Sequence, residues 1–223
     1  MNNLTNEQLL ELETQLSCPS GENGLAVGKQ MDESNRSMTD SAIAALQLKA
    51  NQQVLEIGHG LGGHIQHLFK THENIRYFGV EISSTMQFEA SNLHKTLVQE
   101  NVAQFDCYDG ITLPYPANSF NRIFTVNTLY FWKNPIAFLE EIKRVLAPNG
   151  SIVICFATKD FMEKLPFVNE RFKLYNTNDV LKLIESSGNT HLAIEIEKQV
   201  EKVKNKSGDW VEREYVNLKL TDQ

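Results

Sequence analysis

At residues 54–63 the chain reads Val-Leu-Glu-Ile-Gly-His-Gly-Leu-Gly-Gly, an apolar run that ends in an acid and then in four glycines within six positions. The pattern predicts a strand, a tight loop and the start of a helix. Glycine lets the backbone approach a ligand closely, because no Cβ stands in the way and a positive φ costs nothing. The unpaired N–H groups of the next helix, and its dipole, suit an anionic group. The stretch therefore indicates a nucleotide-type site.

The glycine spacing alone does not identify the ligand. Both Gly58-x-Gly60-x-Gly62 and Gly58-x-Gly60-x-x-Gly63 fit, so a dinucleotide and other adenosine ligands stay open. Glu56 stands two residues before the first glycine, at the carboxyl end of the predicted strand. A carboxylate there would repel a pyrophosphate, whereas it would favour a ligand with an ammonium and a sulfonium. S-adenosylmethionine is such a ligand.

Residues 55–62 resemble the first motif of the class I S-adenosylmethionine-dependent methyltransferases. The resemblance implies a Rossmann-like α/β fold: a seven-stranded, mostly parallel sheet in the order 3-2-1-4-5-7-6, with helices on both faces and a C-terminal antiparallel hairpin. It also implies that segments before the first strand fold over the cofactor. Residues of this motif that we expect to bind S-adenosylmethionine are Glu56, Gly58, His59, Gly60 and Gly62.

A second acid follows the next predicted strand, residues 77–81. Glu81 stands 21 residues after Gly60. In a βαβ unit the end of the second strand lies beside the glycine loop, so Glu81 can accept hydrogen bonds from both ribose hydroxyls, and Ile82 follows it into the site. The alternative is a surface acid at a helix start, because Ser83 can cap the helix that follows.

Residues 108–120 resemble the second landmark of the family, an acid four residues before a Leu-Pro-aromatic-Pro turn. The resemblance implies that Asp109 accepts a hydrogen bond from the adenine amino group and that the N–H of Gly110 meets a ring nitrogen. An ordinary Asp-Gly turn would need no ligand. Asp106 is the alternative adenine acid if the register is shifted by three residues.

The exit of the fourth predicted strand, residues 122–127, lies beside the reacting methyl group in the resembled fold. Asn127 ends this strand, and we expect it to contact the cofactor. The exit lacks the Asn-Pro-Pro-aromatic motif of relatives that methylate DNA or protein nitrogens, so the resemblance points to the branch that acts on small molecules. No catalytic residue is assigned, and the candidates are His59 and Tyr130. The alternative for each is a non-catalytic role, in which His59 faces solvent and Tyr130 is a packed core aromatic.

Five apolar side chains could shape a pocket for an apolar acceptor, or hold a cationic amine against their ring faces. They are Met31, Tyr130, Trp132, Phe161 and Phe172. Methyl transfer from a sulfonium is an in-line displacement, so positioning in a dry pocket can supply most of the acceleration. A general base helps only where the acceptor carries a proton of high pKa. The acceptor and the methylated atom stay open.

Periodicity predicts the remaining elements. A helix is expected over residues 5–16, a loop or lid over 18–31, a second helix capped by Thr39, and a helix through Met86, Ala90, Leu93 and Leu97. Two strand-like runs, 191–203 and 210–220, predict the terminal hairpin. We expect a single methyltransferase domain over 1–223, with N-terminal helices and lid in 1–50, the cofactor-binding core in 51–157 and a substrate-side segment, helix and hairpin in 158–223.

Composition narrows the classes of partner and compartment. The 223 residues are 41% hydrophobic and carry a formal net charge of −7, which favours one packed domain and argues against a nucleic-acid surface. Three scattered cysteines suggest neither disulfides nor zinc, and the absence of a long apolar run suggests a cytoplasmic protein. No metal is expected from His59, His64 and His67, because His67 falls on a solvated helix face and His64 at its flank.

The sequence thus predicts methyl transfer from S-adenosylmethionine to a small-molecule acceptor of aromatic, lipid-like or cationic character. One alternative is a non-catalytic module that binds S-adenosylmethionine. A dinucleotide-dependent oxidoreductase, using NAD or NADP, is the other. The oligomeric state stays open.

Overall fold

The computed structural model describes residues 5–204 and 210–222. Helices and strands alternate through its central part, as expected for a parallel α/β sheet. In chain order the elements are α1 (Asn6–Ser17), α2 (Gly21–Ser34), α3 (Arg36–Leu46), β1 (Gln53–Ile57), α4 (Ile65–Thr71), β2 (Arg76–Glu81), α5 (Ser84–Leu93), α6 (Lys95–Gln99), β3 (Ala103–Cys107), β4 (Phe120–Val126), a 3-10 turn (Leu129–Phe131), α7 (Pro135–Val145), β5 (Leu146–Ala157), α8 (Lys159–Met162), α9 (Thr177–Ser186), β6 (Ala193–Lys204) and β7 (Trp210–Thr221).

The strands form one seven-stranded sheet in the order β3-β2-β1-β4-β5-β7-β6, which confirms the predicted topology. β1 pairs in parallel with β2 on one side and with β4 on the other. β7 is antiparallel to both β5 and β6. The chain order reverses direction between β1 and β4, and ligands of open α/β sheets bind at such a switch point, outside the carboxyl ends of the strands.

The core is formed by strands that are apolar on both faces. In β1, Val54, Leu55 and Ile57 are fully buried, and the second half of β5 is buried throughout. This is the pattern expected when helices cover both faces of a parallel sheet. α7 begins as predicted, with the Asn134 side chain accepting a hydrogen bond from Ala137 N and Pro135 at the first helical position.

The prediction of a loop or lid over residues 18–31 is wrong, because most of this segment is the helix α2. The glycines that suggested a loop instead permit close packing. A Cβ on Gly24 would lie 2.7 Å from the Pro19 carbonyl carbon, and one on Gly28 would lie 2.7 Å from Met86 Sδ. α2 therefore approaches α1 and α5 along a face without side chains.

Two further helix predictions need correction. Thr39 does not cap the next helix, because α3 already begins at Arg36 and Thr39 is buried within it. The helix predicted through Leu97 is interrupted at His94, which separates α5 from α6 and leaves Leu93 56% exposed. The interruption brings His94 Nε2 within 2.8 Å of the Gly62 carbonyl oxygen.

The hairpin of β6 and β7 has the predicted antiparallel pairing, and its connection at residues 205–209 lies outside the described residues. β6 is the edge strand, and its polar residues are exposed in alternation with partly buried ones over its second half. Among the helices of the described ranges, none has the length and apolar character needed to cross a membrane.

Candidate functional site

The glycine loop connects β1 to α4 at the carboxyl edge of the sheet. Gly58, Gly60 and Gly62 all have positive φ, at 78°, 55° and 68°. At Gly58 a side chain would also overlap the methyl group of Thr128, which follows β4. Gly58 N donates to the Val80 carbonyl at 2.8 Å, so β2 holds the loop in place. The loop is thus fixed between the ends of β4 and β2 and needs glycine for its conformation.

Glu81 lies at the end of β2 and its carboxylate spans the glycine loop and the start of α5. One oxygen accepts a hydrogen bond from Gly60 N at 3.1 Å, and the other accepts from Ile82 N at 2.8 Å and Ser83 N at 3.1 Å. The residue is 7% exposed. The sequence prediction that Glu81 lies beside the loop is therefore matched by the geometry. Ser83 also caps α5, as its alternative role required, by accepting from Met86 N.

Two exposed apolar side chains lie near an Asp-Gly pair: one directly follows β2, and the other lies in the turn after β3. Ile82 is 39% exposed and Ile111 is 54% exposed, and a Cβ on Gly110 would lie 3.4 Å from Ile82 Cγ2. Asp109 Oδ1 accepts from Thr112 N at 2.7 Å and Ile111 N at 2.8 Å. These two amides hold the pKa of the exposed Asp109 carboxyl below its usual value. Ile82, Gly110 and Ile111 thus lie beside the carboxyl ends of β2 and β3, with Asp109 next to them in the chain.

Asp106, the alternative adenine acid, is engaged elsewhere. Its Oδ2 accepts hydrogen bonds from Gln104 Nε2 at 2.6 Å and from the Tyr115 hydroxyl at 2.9 Å. It lies on β3, opposite Val80, and not in the turn. Of the two acids, Asp109 is the one adjacent to Ile82 and Gly110.

Glu56 is not open to a ligand in the way that its position in the motif suggested. The residue is 3% exposed, and its Oε2 lies 2.8 Å from His64 Nε2 and 2.5 Å from the Tyr77 hydroxyl, which donates to it. His64 is itself 5% exposed, so the prediction that it sits at the flank of the helix is wrong. Its place could have been read from sequence, because His64 precedes the buried Leu68 by one helical turn and so shares its face.

The pKa values of this buried pair shift in opposite directions. Burial acts to raise the pKa of Glu56, but the charge of His64 and the hydrogen bonds from His64 and Tyr77 outweigh it, and the pKa lies below 4.5. Burial acts to lower the pKa of His64, but the charge and hydrogen bond of Glu56 outweigh it, and the pKa lies above 6.5. Both shifts favour an ion pair.

His59 points into the protein, so the alternative in which it faces solvent is wrong. It is 4% exposed and packs edge-on against Phe105, with ring centroids 5.1 Å apart. Its Nδ1 lies 2.8 Å from the Gly60 carbonyl oxygen, which can only accept, so Nδ1 carries the proton. Within the described ranges Nε2 has no hydrogen-bond partner. Burial lowers the pKa of His59, so it is a neutral imidazole inside the loop.

Polar groups at the carboxyl end of β4 form hydrogen bonds with one another. Asn127 has φ +58°, and its Oδ1 accepts from the Tyr130 hydroxyl and from Ala157 N, both at 3.1 Å. Tyr130 is only 2% exposed, and its single hydroxyl proton is shared between Asn127 Oδ1 and the Ala157 carbonyl oxygen, which is the closer acceptor at 2.8 Å. Its hydroxyl is therefore used for hydrogen bonds within the core, as expected if Tyr130 is a packed core aromatic and has no catalytic role. Burial raises the pKa of Tyr130 well above its ordinary value.

The predicted pocket residues fall into separate groups. Phe172 contacts Tyr130, with ring centroids 6.0 Å apart, and Phe161 lies partly buried at the edge of the same core. Trp132 is 7% exposed, packs on Phe138 at 4.9 Å and donates to Thr128 Oγ1 at 3.1 Å. Met31 lies in the last turn of α2. The structure brings Tyr130 and Phe172 together but shows no contact that joins all five residues.

A corner between α2 and α3 contacts the loop, in line with the expectation that segments before the first strand fold over the cofactor, but its residues Asp32, Asn35 and Arg36 were not predicted as site residues. Gly63 N donates to Asp32 Oδ1 at 3.0 Å, and Arg36 donates to Asp32 Oδ2 at 2.9 Å. Asn127 Nδ2 donates to Asn35 Oδ1 at 3.0 Å. The corner therefore touches both the glycine loop and the exit of β4. An Asp and an Arg four residues apart are a helical pairing, and this spacing was a signal that the segment is not a loop.

Metal binding finds no support in the parts of the chain that the structure describes, since no three His, Cys, Asp or Glu side chains are arranged there to hold an ion. The polar groups around the loop instead suit an adenosine ligand. Gly58, Gly60 and Gly62 have no side chains that would block a ligand, and Glu81 lies beneath the loop. The side chains of Ile82 and Ile111 are exposed.

Comparison with known proteins agrees with this geometry. A family described as "Methyltransferase domain" matches residues 55–154. An uncharacterized methyltransferase of Bacillus subtilis, YdaC, is 23% identical over 140 residues, which cover 61% of this chain and 73% of YdaC. Ajmaline N-methyltransferase of Rauvolfia serpentina is 27% identical over 106 residues, 48% of this chain and 36% of that enzyme. The chain thus spans about a third of the plant enzyme's length.

A crystal structure of a methyltransferase from Aquifex aeolicus, described as SAM-dependent, superimposes with a TM-score of 0.66. The two chains are 20% identical, and the match covers 89% of this chain and 98% of the other. At that identity the likeness shows the fold alone. Fold, motif and family match together support a class I S-adenosylmethionine-dependent methyltransferase, with S-adenosylmethionine as the cofactor.

Proposed function

We propose that the protein transfers a methyl group from S-adenosylmethionine to a small-molecule acceptor and leaves S-adenosylhomocysteine. The observation that carries the proposal is the hydrogen bond from Gly60 N to Glu81, which puts an acid directly beneath the glycine loop at the switch point of the sheet. An acid there can accept two ribose hydroxyls and would repel a ribose phosphate. The antiparallel β7 also argues against a dinucleotide oxidoreductase, because such folds continue with parallel strands.

In this proposal the adenosine part lies across the glycine loop and the exposed side chains of Ile82 and Ile111. Glu81 accepts the ribose hydroxyls, which requires its carboxylate to exchange some of its present amide partners for the sugar. Ile82 and Ile111 are the apolar walls for the adenine ring, and burying them on the ligand removes exposed apolar surface from water. Asp109 and the N–H of Gly110 read the adenine edge. These roles come from the resemblance and are supported by the positions of the residues.

The cofactor supplies an electrophilic methyl group on a positively charged sulfur, and the chain's part is to position the acceptor and exclude water. The Tyr130 hydroxyl and the Asn127 amide are bonded within the core, so they fix the exit of β4 and do not serve as a free base. His59 is neutral and buried, with Nε2 unpaired in the described ranges. We therefore propose catalysis by positioning, without an assigned general base.

An acceptor of apolar or cationic character is supported by the aromatic cluster that follows the 3-10 turn. Phe172 lies against Phe131, with ring centroids 4.8 Å apart, and beside Phe167 at 6.2 Å. Ring faces of this kind bind apolar groups and amines. A relative named for N-methylation of ajmaline supports a small-molecule acceptor for this chain too.

Isothermal titration calorimetry with S-adenosylmethionine, S-adenosylhomocysteine, NAD and NADP tests the proposal. We expect micromolar binding of the first two, and loss of at least ten-fold in affinity in Glu81→Gln. Glu100→Gln, an exposed position at the end of α6, is the matched control and should bind normally. Binding of NAD or NADP in preference to the sulfur ligands would contradict the proposal.

The non-catalytic alternative is separated by a second assay. Formation of S-adenosylhomocysteine is followed by mass spectrometry with panels of phenols, amines, quinones and lipids. Turnover of one acceptor that is lost in Glu81→Gln supports the enzyme. Binding without turnover across the panels would favour a cofactor-binding module.

A further inference from the structure

The amino-acid end of the cofactor needs charged partners, and Glu56 is poorly placed to be one. The head group of S-adenosylmethionine carries a carboxylate and an ammonium. Glu56 was the acid expected to meet the ammonium, yet its Oε2 is engaged by His64 and Tyr77 in a pair that is 3% to 5% exposed. A salt bridge so buried is already neutralised. Charged side chains elsewhere at the glycine loop are therefore better placed than Glu56 to bind the head group.

The corner of α2 and α3 supplies one charge of each sign at the glycine loop. The side chains of Asp32 and Arg36 are 20% and 38% exposed, so both remain within reach of solvent and of a ligand. In the described ranges the ion pair that Arg36 makes is the one with Asp32, which leaves most of its five N–H donors unused. A zwitterionic head group presents the complementary pair of charges.

Asp32 already shows how a carboxylate is held there. Its Oδ1 accepts from Gly63 N at 3.0 Å, and a Cβ on Gly63 would overlap the other carboxylate oxygen, so only glycine admits the carboxylate at this depth. A loop amide and a guanidinium together bind this carboxylate. The cofactor's own carboxylate has the same chemistry and could take the same two donors.

We propose that Asp32 and Arg36 form the subsite for the amino-acid head group of the cofactor, and that Asp32 occupies the carboxylate position until the cofactor displaces it. On binding, the ligand carboxylate takes Gly63 N and Arg36, and the released Asp32 pairs with the ligand ammonium. This inference rests on the proposed function and deepens it. It also assigns a role to the corner's contact with Asn127, because Asn35 keeps the corner over both ends of the site.

Three ligands that share the adenosine part separate the two charges. S-adenosylhomocysteine has both, decarboxylated S-adenosylhomocysteine has the ammonium without the carboxylate, and methylthioadenosine has neither; all three are uncharged at sulfur. Calorimetry compares wild type, Arg36→Gln and Asp32→Asn. Charge-assisted hydrogen bonds of this kind correspond to about a ten- to hundred-fold change in affinity. Arg36→Gln should weaken S-adenosylhomocysteine by that factor and leave the other two ligands within about two-fold.

Asp32→Asn should weaken both ligands that carry the ammonium, by about ten-fold, and leave methylthioadenosine within about two-fold. Lys29→Gln and Glu33→Gln remove exposed charges of the same signs from α2 and serve as matched controls. Arg36→Lys keeps the charge and should recover part of the loss. Circular dichroism establishes that each variant is folded.

The outcomes distinguish this inference from the function on which it rests. If wild type binds neither S-adenosylhomocysteine nor methylthioadenosine, the proposed function fails. If wild type binds both, but the two variants change all ligands equally or change none, the head-group subsite is overturned while the function stands. Equal losses in Lys29→Gln and Arg36→Gln would overturn it as well, since they would reflect general charge.

Discussion

Replacing His64 by Gln should cost stability in a way that depends on pH. His64 and Glu56 are 5% and 3% exposed, and removing one member of a buried ion pair typically costs about 3–5 kcal/mol. Glu56 would keep the hydrogen bond from the Tyr77 hydroxyl at 2.5 Å, so we expect the lower end, about 3 kcal/mol at pH 6. For a chain of this length that corresponds to a fall in Tm of roughly 6–12 °C.

The direction of the pH dependence follows from the two pKa shifts. The pKa of His64 is raised in the folded state, so its contribution is complete below 6.5 and is lost as the pH rises through the folded value. The pKa of Glu56 is lowered, so its contribution is present above 4.5 and is lost only in acid, as the pH falls through its folded value. The destabilisation by His64→Gln should therefore be greatest near pH 6 and shrink towards pH 9.

Two other histidines also make the stability depend on pH, so the free energies of unfolding of wild type and His64→Gln are subtracted at each pH. Burial lowers the pKa values of His59 and His94, so their contributions are lost as the pH falls below 6.5, opposite in sign to His64. They are present in wild type and variant and largely cancel in the difference. Urea unfolding from pH 5.5 to 9 measures it, with the exposed His67→Gln on the same helix as control. A constant difference across this range, or an equal loss in His67→Gln, would refute the ion pair.

Three further predictions use other contacts. Gly58→Ala should lower both stability and cofactor affinity, because φ is +78° and the new methyl would overlap Thr128; thermal unfolding and calorimetry measure the two effects. Ile111→Ser should weaken S-adenosylhomocysteine severalfold with Tm almost unchanged, since Ile111 is 54% exposed without ligand. Arg213→Met should lower the free energy of unfolding by about 2–4 kcal/mol in urea titrations, because it leaves Glu201 without its 2.6 Å partner.

The central sheet was predictable because its strands carry their own signals. Continuous apolar runs identify β1, β2 and β5, and the terminal hairpin follows from two long strand-like runs. α2 was missed because glycine and proline usually mark loops. In this chain Gly24 and Gly28 are spaced by one helical turn and remove the side chains that would keep α2 away from its neighbours. Helix propensity is a weak prior, and tertiary packing overrides it there.

The adenosine half of the site was likewise predictable in position. Glu81 lies beneath Gly60 because parallel strands bring their carboxyl ends together, and that geometry follows from spacing alone. The partners of Glu56 do not follow from such a rule. Whether an acid at a strand end faces a ligand or a buried histidine depends on side-chain directions, which the motif does not encode.

This difference changes the electrostatic reason for the choice of cofactor. Glu56 was expected to repel pyrophosphate and attract a sulfonium, but His64 lies 2.8 Å away and its pKa is raised by Glu56, so protonated His64 offsets the charge of the carboxylate. Discrimination then falls to groups whose charge is uncompensated. Among the residues that the structure describes, Glu81 accepts from the backbone amides of Gly60, Ile82 and Ser83 and forms no ion pair, so no cationic side chain offsets its carboxylate at the ribose position. A ribose phosphate would meet that charge directly, whereas a sulfonium would be attracted to it. We therefore propose that Glu56 and His64 stabilise the glycine loop from within the core, and that Glu81 contributes more than Glu56 to the attraction of a cationic adenosine ligand.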